Sequence, residues 1–447
     1  MFKEIYIKKR KMLLTLLSIL LITTLTISMI SELSAADITI GPKTPGGLKK
    51  ALEKAKNGDT IILKNGVYKG KNNADITIKK NINIRGQGSK VVLDGLGKNQ
   101  IFQINKKNVK ISLKNLKFTN GKAKIISEDS YDYVNGGGAI LLIKGSLTVN
   151  KCTFTKNKAD ELFPDDGESI ASGGGAIMSF DNLKISQSTF TNNEAEDGGA
   201  IYSYQAKLTI SQSTFTNNKA FDGGAIYSYY DKIDISKSVF TKNKAGTGGS
   251  ITVDAGGCFD SKNCPSKIIS GSTFTNNKAL EGGAIKSGCE LFIKKCTFTK
   301  NGDKDDTYYT NGGAISSFAN LIISQSTFTK NTGAKSGGAI YSQGLTVTKS
   351  IFTSNQANED GGAIYSAYGS KDTVNGCTFT SNYAKKSGGA IHSTSDDESV
   401  GVLKITNTNF KNNIAGTKYN AIYKDKKTKL TTKNVKITPK NGTEVKK

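Results

Sequence analysis

Tryptophan is absent from this 447-residue sequence, and histidine and arginine nearly so: His392 is the one His, and Arg10 and Arg85 are the two Arg. That leaves little material for His-based catalysis, His-rich metal sites or bidentate Arg clamps on phosphate. Five Pro and no Gly-X-Y period exclude collagen and a Pro-rich disordered chain. Acidic residues are also few, 37 against 62 Lys+Arg, so the formal charge is +25 and is carried almost wholly by lysine. A hydrophobic fraction of 36% is lean, yet a chain of this length can bury a continuous core if its pattern is regular.

Residues 1–36 read as an address. Lys3, Lys8, Lys9, Arg10 and Lys11 precede an apolar run from Met12 to Ile30, and Ser34-Ala35-Ala36 offers small residues for cleavage. This is the order of a secretory signal peptide, or of an N-terminal anchor if the segment is retained. The expected location is therefore secreted or cell surface. No later hydrophobic run follows, so no membrane span is expected in the mature chain unless residues 1–36 stay attached. Export also removes nucleic acid as the partner that net charge alone would suggest.

What the sequence has in abundance is repetition. Gly-Gly-Ala-Ile ends at Ile140, Ile177, Ile201, Ile226, Ile285, Ile315, Ile340, Ile364 and Ile391, with Gly-Gly-Ser-Ile at Ile251 and a worn copy, Asn420-Ala421-Ile422. Interleaved is a Phe motif at Phe118, Phe154, Phe190, Phe215, Phe240, Phe274, Phe298, Phe328, Phe352, Phe379 and Phe410, with Asn three residues later in every copy but the first. Each unit holds three short β-prone runs separated by turn residues, as in 199–203, 207–210 and 213–216. Three strands per unit and strict stacking of like positions predict one coil of a single-stranded parallel β-helix, all-β, with about 13 coils spanning roughly 60 Å at the interstrand spacing. Alternation puts Leu208, Ile210, Ser213 and Phe215 inside and Thr209, Thr214 and Thr216 outside. Like residues then form columns, and the Asn column is expected inside a turn, each amide bonding the next. Leu48, Ala51, Leu52 and Ala55 form the stripe of a short amphipathic helix within 47–56 that would plug the open N-terminal end. The expected organisation is thus 1–36 signal or anchor, 37–117 cap and first coils, 118–423 the repeated β-helix, and 424–447 a last strand with a basic tail.

The paired Gly-Gly-Ala-Ile and Phe-x-x-Asn signatures, over residues 118–422, resemble the polymorphic outer-membrane protein repeat. That resemblance implies a right-handed, pectate-lyase-like β-helix and an adhesin-like surface role.

Three insertions fall between a Phe and the next Gly pair, at 121–136, 160–172 and 302–311. The first two carry Asp129, Asp132, Asp160, Asp165 and Asp166 on neighbouring coils. Clustered carboxylates of that kind suit Ca²⁺, although no ligand spacing of the EF-hand type is present, and a solvated acidic loop is the favoured reading. No cofactor is otherwise called for. Cys152, Cys296 and Cys377 stand two residues before Phe, where other coils have Ser188, Ser213 or Ser326, and are expected to be buried thiols several coils apart. Cys258 and Cys264 share an insertion and Cys289 lies in the next coil, so one disulfide among these three is expected, most simply Cys258 to Cys264. Tyr202, Tyr227, Tyr341 and Tyr365 should form outward neighbours, either stacking on sugar rings or making cross-strand pairs. His392 occupies the same place and reads as a surface substitution.

Two functions compete. β-Helix lyases and hydrolases resemble one another in using an Arg base beside Ca²⁺ carboxylates, or Asp pairs with Gly-His-Gly. Neither context surrounds Arg85 or His392. The expectation is a non-enzymatic adhesin-like protein that binds carbohydrate or protein on cell surfaces, with a polysaccharide lyase or hydrolase acting on acidic glycans as the alternative. Charge refines this: residues 37–117 carry +13, 118–423 only +2 and 424–447 +7. A near-neutral rod with basic ends could hold an anionic cell wall by those ends.

Overall fold

The computed structural model describes residue 15 and residues 35–128, 131–160, 170–254, 265–303, 311–333, 335–368, 371–395, 400–416 and 418–439. The repeat period is a physical one: Ile201–Tyr204, Lys207–Ser211 and Thr214–Thr216 are three strands of one coil. Each pairs in parallel with its equivalent in the next coil, Ile201 against Ile226, Leu208 against Ile233 and Phe215 against Phe240. Repeated along the chain, the Phe strands build a sheet of fourteen, from Gly66–Lys69 to Lys436–Thr438, while the other two strand sets merge into a sheet of twenty-six. The protein is an all-β, right-handed parallel solenoid of about 13 turns.

Its interior follows from the two-residue alternation of a strand. Leu208, Ile210 and Phe215 are fully buried, and the Phe rings from Phe118 to Phe410 form one uninterrupted stack with centroids 4.7–4.9 Å apart and planes within 2–8°. The rung spacing of the backbone sets that distance, which falls within the range of offset aromatic pairs.

A polar column runs parallel to the Phe stack. From Asn157 to Asn382 each Asn Nδ2 donates to the Oδ1 of the next coil's Asn at 2.9–3.1 Å. The same Nδ2 reaches a Phe carbonyl of the preceding coil, as from Asn218 to Phe190 at 3.0 Å, and each Oδ1 also accepts a backbone N–H. The turn is thereby satisfied without water, as buried backbone requires. In the first copy, where Asn is missing, Gly121 N–H closes the column on Asn157 Oδ1 at 2.9 Å. A second column holds the expected thiols: Ser188 Oγ donates to Ser186 O, and Cys152, Cys296 and Cys377 direct Sγ at the equivalent carbonyls of Asn150, Lys294 and Asn375. Burial pushes the Cys152 thiol up to about 12 and those of Cys296 and Cys377 up to about 11. All three are free buried thiols.

The N-terminal end is plugged as the apolar stripe predicts. Helix Gly47–Lys54 buries Leu48, Ala51 and Leu52 in the same core, and Lys80 Nζ donates to the carbonyls of Leu52, Glu53 and Ala55 at the helix's C-terminal end, where a cation is favoured. At the other end, strands Lys429–Lys433 and Lys436–Thr438 pair with Val402–Thr406 and Asn409–Lys411. These two strands within 424–447 form a further coil, because Leu430, Val435 and Ile437 pack against the core. The segment 1–34 lies outside the described residues except Thr15, and no helix among the described residues is long and apolar enough to cross a membrane.

Candidate functional site

The outer surface of the Ala-Ile strands is where the repeat departs most from uniformity, and the glycine pair explains its position. Gly198 has φ +59°, in the left-handed region, and a Cβ on Gly199 would sit 2.3 Å from the Gly224 carbonyl oxygen. Neighbouring coils therefore approach closely here. The residue before each pair is carried along in register: Asp197 lies beside Asp222, Asp222 beside Thr247 and Thr247 beside Glu281. Burial pushes the Asp197 carboxyl up to about 8, with Asp222, Glu196 and Asp254 adding like-charge repulsion. Asp222 accepts a hydrogen bond from the Thr247 hydroxyl, and Asp254 accepts one from Tyr227 OH at 3.3 Å.

The tyrosines meet as column-mates. Tyr202 stacks on Tyr227 at 5.3 Å with planes 11° apart, and Tyr204 on Tyr229 at 5.0 Å and 5°. Thr252, Lys286 and Ser316 interrupt the column, Lys286 pairing with Glu281 at 3.2 Å. It resumes with Tyr341 on Tyr365 at 5.5 Å, then His392 at 4.8 Å and Tyr423 at 4.5 Å. Tyr202 and Tyr341 are only 7% and 6% exposed. Because the rings lie face to face along the axis, their faces are occupied by one another. Edges and hydroxyls, rather than open ring faces, are what the column turns outward.

His392 departs from its surface assignment. It is 6% exposed, sandwiched by Tyr365 and Tyr423, with Nδ1 2.9 Å from Ser387 Oγ and 3.5 Å from Asp360 Oδ1. Ser387 spends its hydroxyl proton on Asp360, so the imidazole Nδ1–H donates to the serine oxygen. This is the reverse of a general base activating a nucleophile. Burial would raise the Asp360 carboxyl, but the His392 and Ser387 contacts hold it below the usual carboxylate value.

The first two insertions are not simple loops. Ile125–Glu128 pairs antiparallel with Tyr131–Gly136, which pairs in parallel with Ile170–Gly173. This three-stranded sheet covers the start of the Tyr column, Val134 packing with Leu141, Met178 and Tyr202. The reason lies in the apolar residues of the first insertion, which a purely acidic reading passed over. Asp160 sits between Lys122 at 2.9 Å and Lys158 at 3.3 Å, and the Lys122 bond leads in holding its pKa down. Two lysines thus fill the place proposed for a shared Ca²⁺ at this residue. Asp132 lies in the middle strand, while Asp129, Asp165 and Asp166 lie outside the described residues. No cluster of three or more metal-ligating side chains occurs among the described residues. Cys258 and Cys264 also lie outside them, and Cys289 is buried in the core. The acidic column beside the glycine pairs escaped sequence reasoning, although Asp197, Asp222, Glu281 and Asp360 all stand directly before a Gly-Gly.

Comparison with known protein families agrees with the fold. A family described as right-handed β-helix region matches residues 65–257, and the Chlamydia polymorphic membrane protein repeat matches 325–343, 349–367 and 376–394. No curated protein matches the chain by sequence. Among solved structures, tailspike protein 3 of bacteriophage CBA120 is 11% identical with a TM-score of 0.46, the alignment covering 89% of this chain and 61% of the tailspike. The chain thus spans less than two thirds of that protein's length. A mannuronic-acid-specific polysaccharide family 6 lyase from human gut microbiota is 10% identical with a TM-score of 0.37, covering 89% and 91% of the two chains. The catalytic unit of an α-1,3-glucanase from Streptomyces thermodiastaticus is 13% identical with a TM-score of 0.37, covering 89% and 68%. From its coils the chain is a right-handed parallel β-helix, and three of its repeats, within 325–394, match the Chlamydia polymorphic membrane protein repeat.

Proposed function

We propose that the protein is an exported, adhesin-like scaffold that binds carbohydrate or protein on cell surfaces and catalyses no reaction. The observation that carries this is the folding of two insertions into a sheet over the outer face of an otherwise regular rod. A rigid scaffold elaborated on one outward surface is the usual architecture of recognition. Beside that sheet, the hydroxyl edges of the Tyr column and the acidic column offer hydrogen-bonding groups rather than an apolar groove. The basic coils of 37–117 and the basic residues of 424–447 would hold an anionic wall by charge, an attraction that salt weakens.

One observation favours the second reading, a glycan lyase or hydrolase: the Asp197 carboxyl, pushed up by burial and then by Asp222, Glu196 and Asp254, stands in register beside Asp222, and a pair of carboxyls flanking the scissile bond is the machinery of glycoside hydrolysis. A glycan array and a cell-adhesion assay on the purified full chain, run beside reducing-sugar and unsaturated-uronide measurements, separate the two. Binding without product release is the expected result. Product release abolished by Asp197→Asn would replace the scaffold reading with the enzymatic one.

A further inference from the structure

The repeat region is near neutral in sum but not edge by edge. Acidic residues gather before the glycine pairs, whereas lysines gather on the outside of the Asn-ladder corner. Lys219, Lys244 and Lys278 stand in register on three successive coils, one rung of about 4.8 Å apart. Two residues earlier in their coils, Lys242, Lys300 and Lys330 hold the left-handed turn position, with φ of 55°, 54° and 54°. All six are exposed. Among the described residues Glu194 pairs with Lys219 at 3.4 Å and Asp303 with Lys278 at 3.5 Å, while Lys242, Lys244, Lys300 and Lys330 have no acidic partner. Lys278, Lys300 and Lys330, together with Asp303, Thr332 and Gln356, line an open groove of about 480 Å³.

Like charges stacked a rung apart repel, and exposed ion pairs at the margins offset little of that cost. A polyanion lying along the axis would remove it. We infer that this lysine groove binds an acidic polysaccharide through its carboxylates, with the polymer parallel to the rod. The inference rests on the adhesin reading and names its ligand class. Lysine supplies single point charges at the period of the coils, which suits a chain bearing one carboxylate per sugar. No Arg stands in the strip to grip phosphate or sulfate in the bidentate manner. Each contact is weak alone, and several along one polymer add through effective concentration.

The test uses the full chain and polygalacturonate, with dextran as the neutral control, measured over a salt series. The wild type should bind polygalacturonate and not dextran. The triple variant Lys278→Ser, Lys300→Ser, Lys330→Ser should bind about tenfold more weakly or worse, and the slope of log K against log salt should fall by about two to three, one counterion per lost charge. All three side chains are exposed, and an unchanged melting curve checks that the fold survives. Unaltered binding by the triple variant, or a loss reproduced only by Lys110→Ser with Lys114→Ser in the N-terminal coils, overturns the inference. So does tighter binding of polyphosphate than of polygalacturonate. Adhesion to cells without polygalacturonate binding would overturn the groove's assignment and leave the adhesin reading standing, whereas polygalacturonate binding without adhesion would do the opposite.

Discussion

Two corners of the same coil obey opposite rules. At the ladder corner the inward residue is Asn in every copy from Asn157 to Asn413, and its four hydrogen bonds repeat to within a few tenths of an ångström. At the glycine corner only the two glycines are fixed, and the residue before them changes from Asp197 to Thr247 to Asn311 to Ser387. The ladder corner faces a dry interior, where an unmade bond is costly. The glycine corner needs only a left-handed turn and room for a neighbouring backbone. Everything outside that requirement can vary, and the insertions at 121–136, 160–172 and 302–311 fall on the stretch between the two corners.

The largest expected break comes from the ladder. Asn243→Ala removes the acceptor for Asn218 N–H and Nδ2–H and the donor to Asn277 and Phe215. Several buried groups lose partners at once, so a loss of about 3–4 kcal/mol is expected in denaturant unfolding. Phe240→Ala next to it should cost about as much through the cavity it opens between Phe215 and Phe274. A loss under about 1 kcal/mol for Asn243→Ala would mean the ladder is decoration.

The glycine corner should instead show itself through pH. Asp197, raised to about 8 by burial and then by its acidic neighbours, holds a proton in the fold that the unfolded chain releases near 4, and so does Asp231, raised to about 6 chiefly by burial, in the turn after strand Ile226–Tyr229 and away from that corner. Each therefore removes stability as pH rises from about 4 through those values. Melting temperature should fall from pH 5 to pH 8, and Asp197→Asn should flatten that fall by about 2 °C or more. Asp59, Asp160 and Asp425 have lowered values and act in the other direction, their stabilisation being lost as pH drops below about 4. A profile unchanged by Asp197→Asn would remove this corner's electrostatic distinction.

The smallest effect sharpens the contrast from inside the ladder side. Cys296→Ser places in the column the residue that Ser272 and Ser326 already provide, with the Lys294 carbonyl waiting for its proton. It should change stability by less than about 0.5 kcal/mol. In the native protein the thiols of Cys152, Cys296 and Cys377 should resist a thiol reagent until unfolding, since burial keeps them protonated.

The same contrast explains what was legible in the sequence. Phe215, Asn218 and Gly199 are each required by a stacked neighbour, so strand positions, inward columns, three buried thiols and the capping helix could be read from period and alternation alone. The outer surface carries no such periodic demand. Alternation sets Tyr202 and Tyr341 on the outward side of their strands but says nothing about what covers an outward ring, and the insertion sheet over Tyr202 and the self-stacking of the column leave both buried. His392 misled for the same reason: an outward position became a buried one through Ser387, Asp360 and two flanking tyrosines. Asp160 was legible as a charged site, but its partners Lys122 and Lys158 come from two different coils.

The amide ladder also makes length a separable property of the molecule. Because each Asn side chain bonds only to residues of the adjoining coils, excision of 194–218 would join Asn193 to Lys219 and leave Asn193 facing Asn243 as Asn218 did. Every column would close again across the cut, one rung shorter. Whole periods can thus be lost or duplicated with little change in local stability, while one altered amide within a period is felt by three coils, so a lineage carrying this fold can adjust its reach more readily than its cross-section.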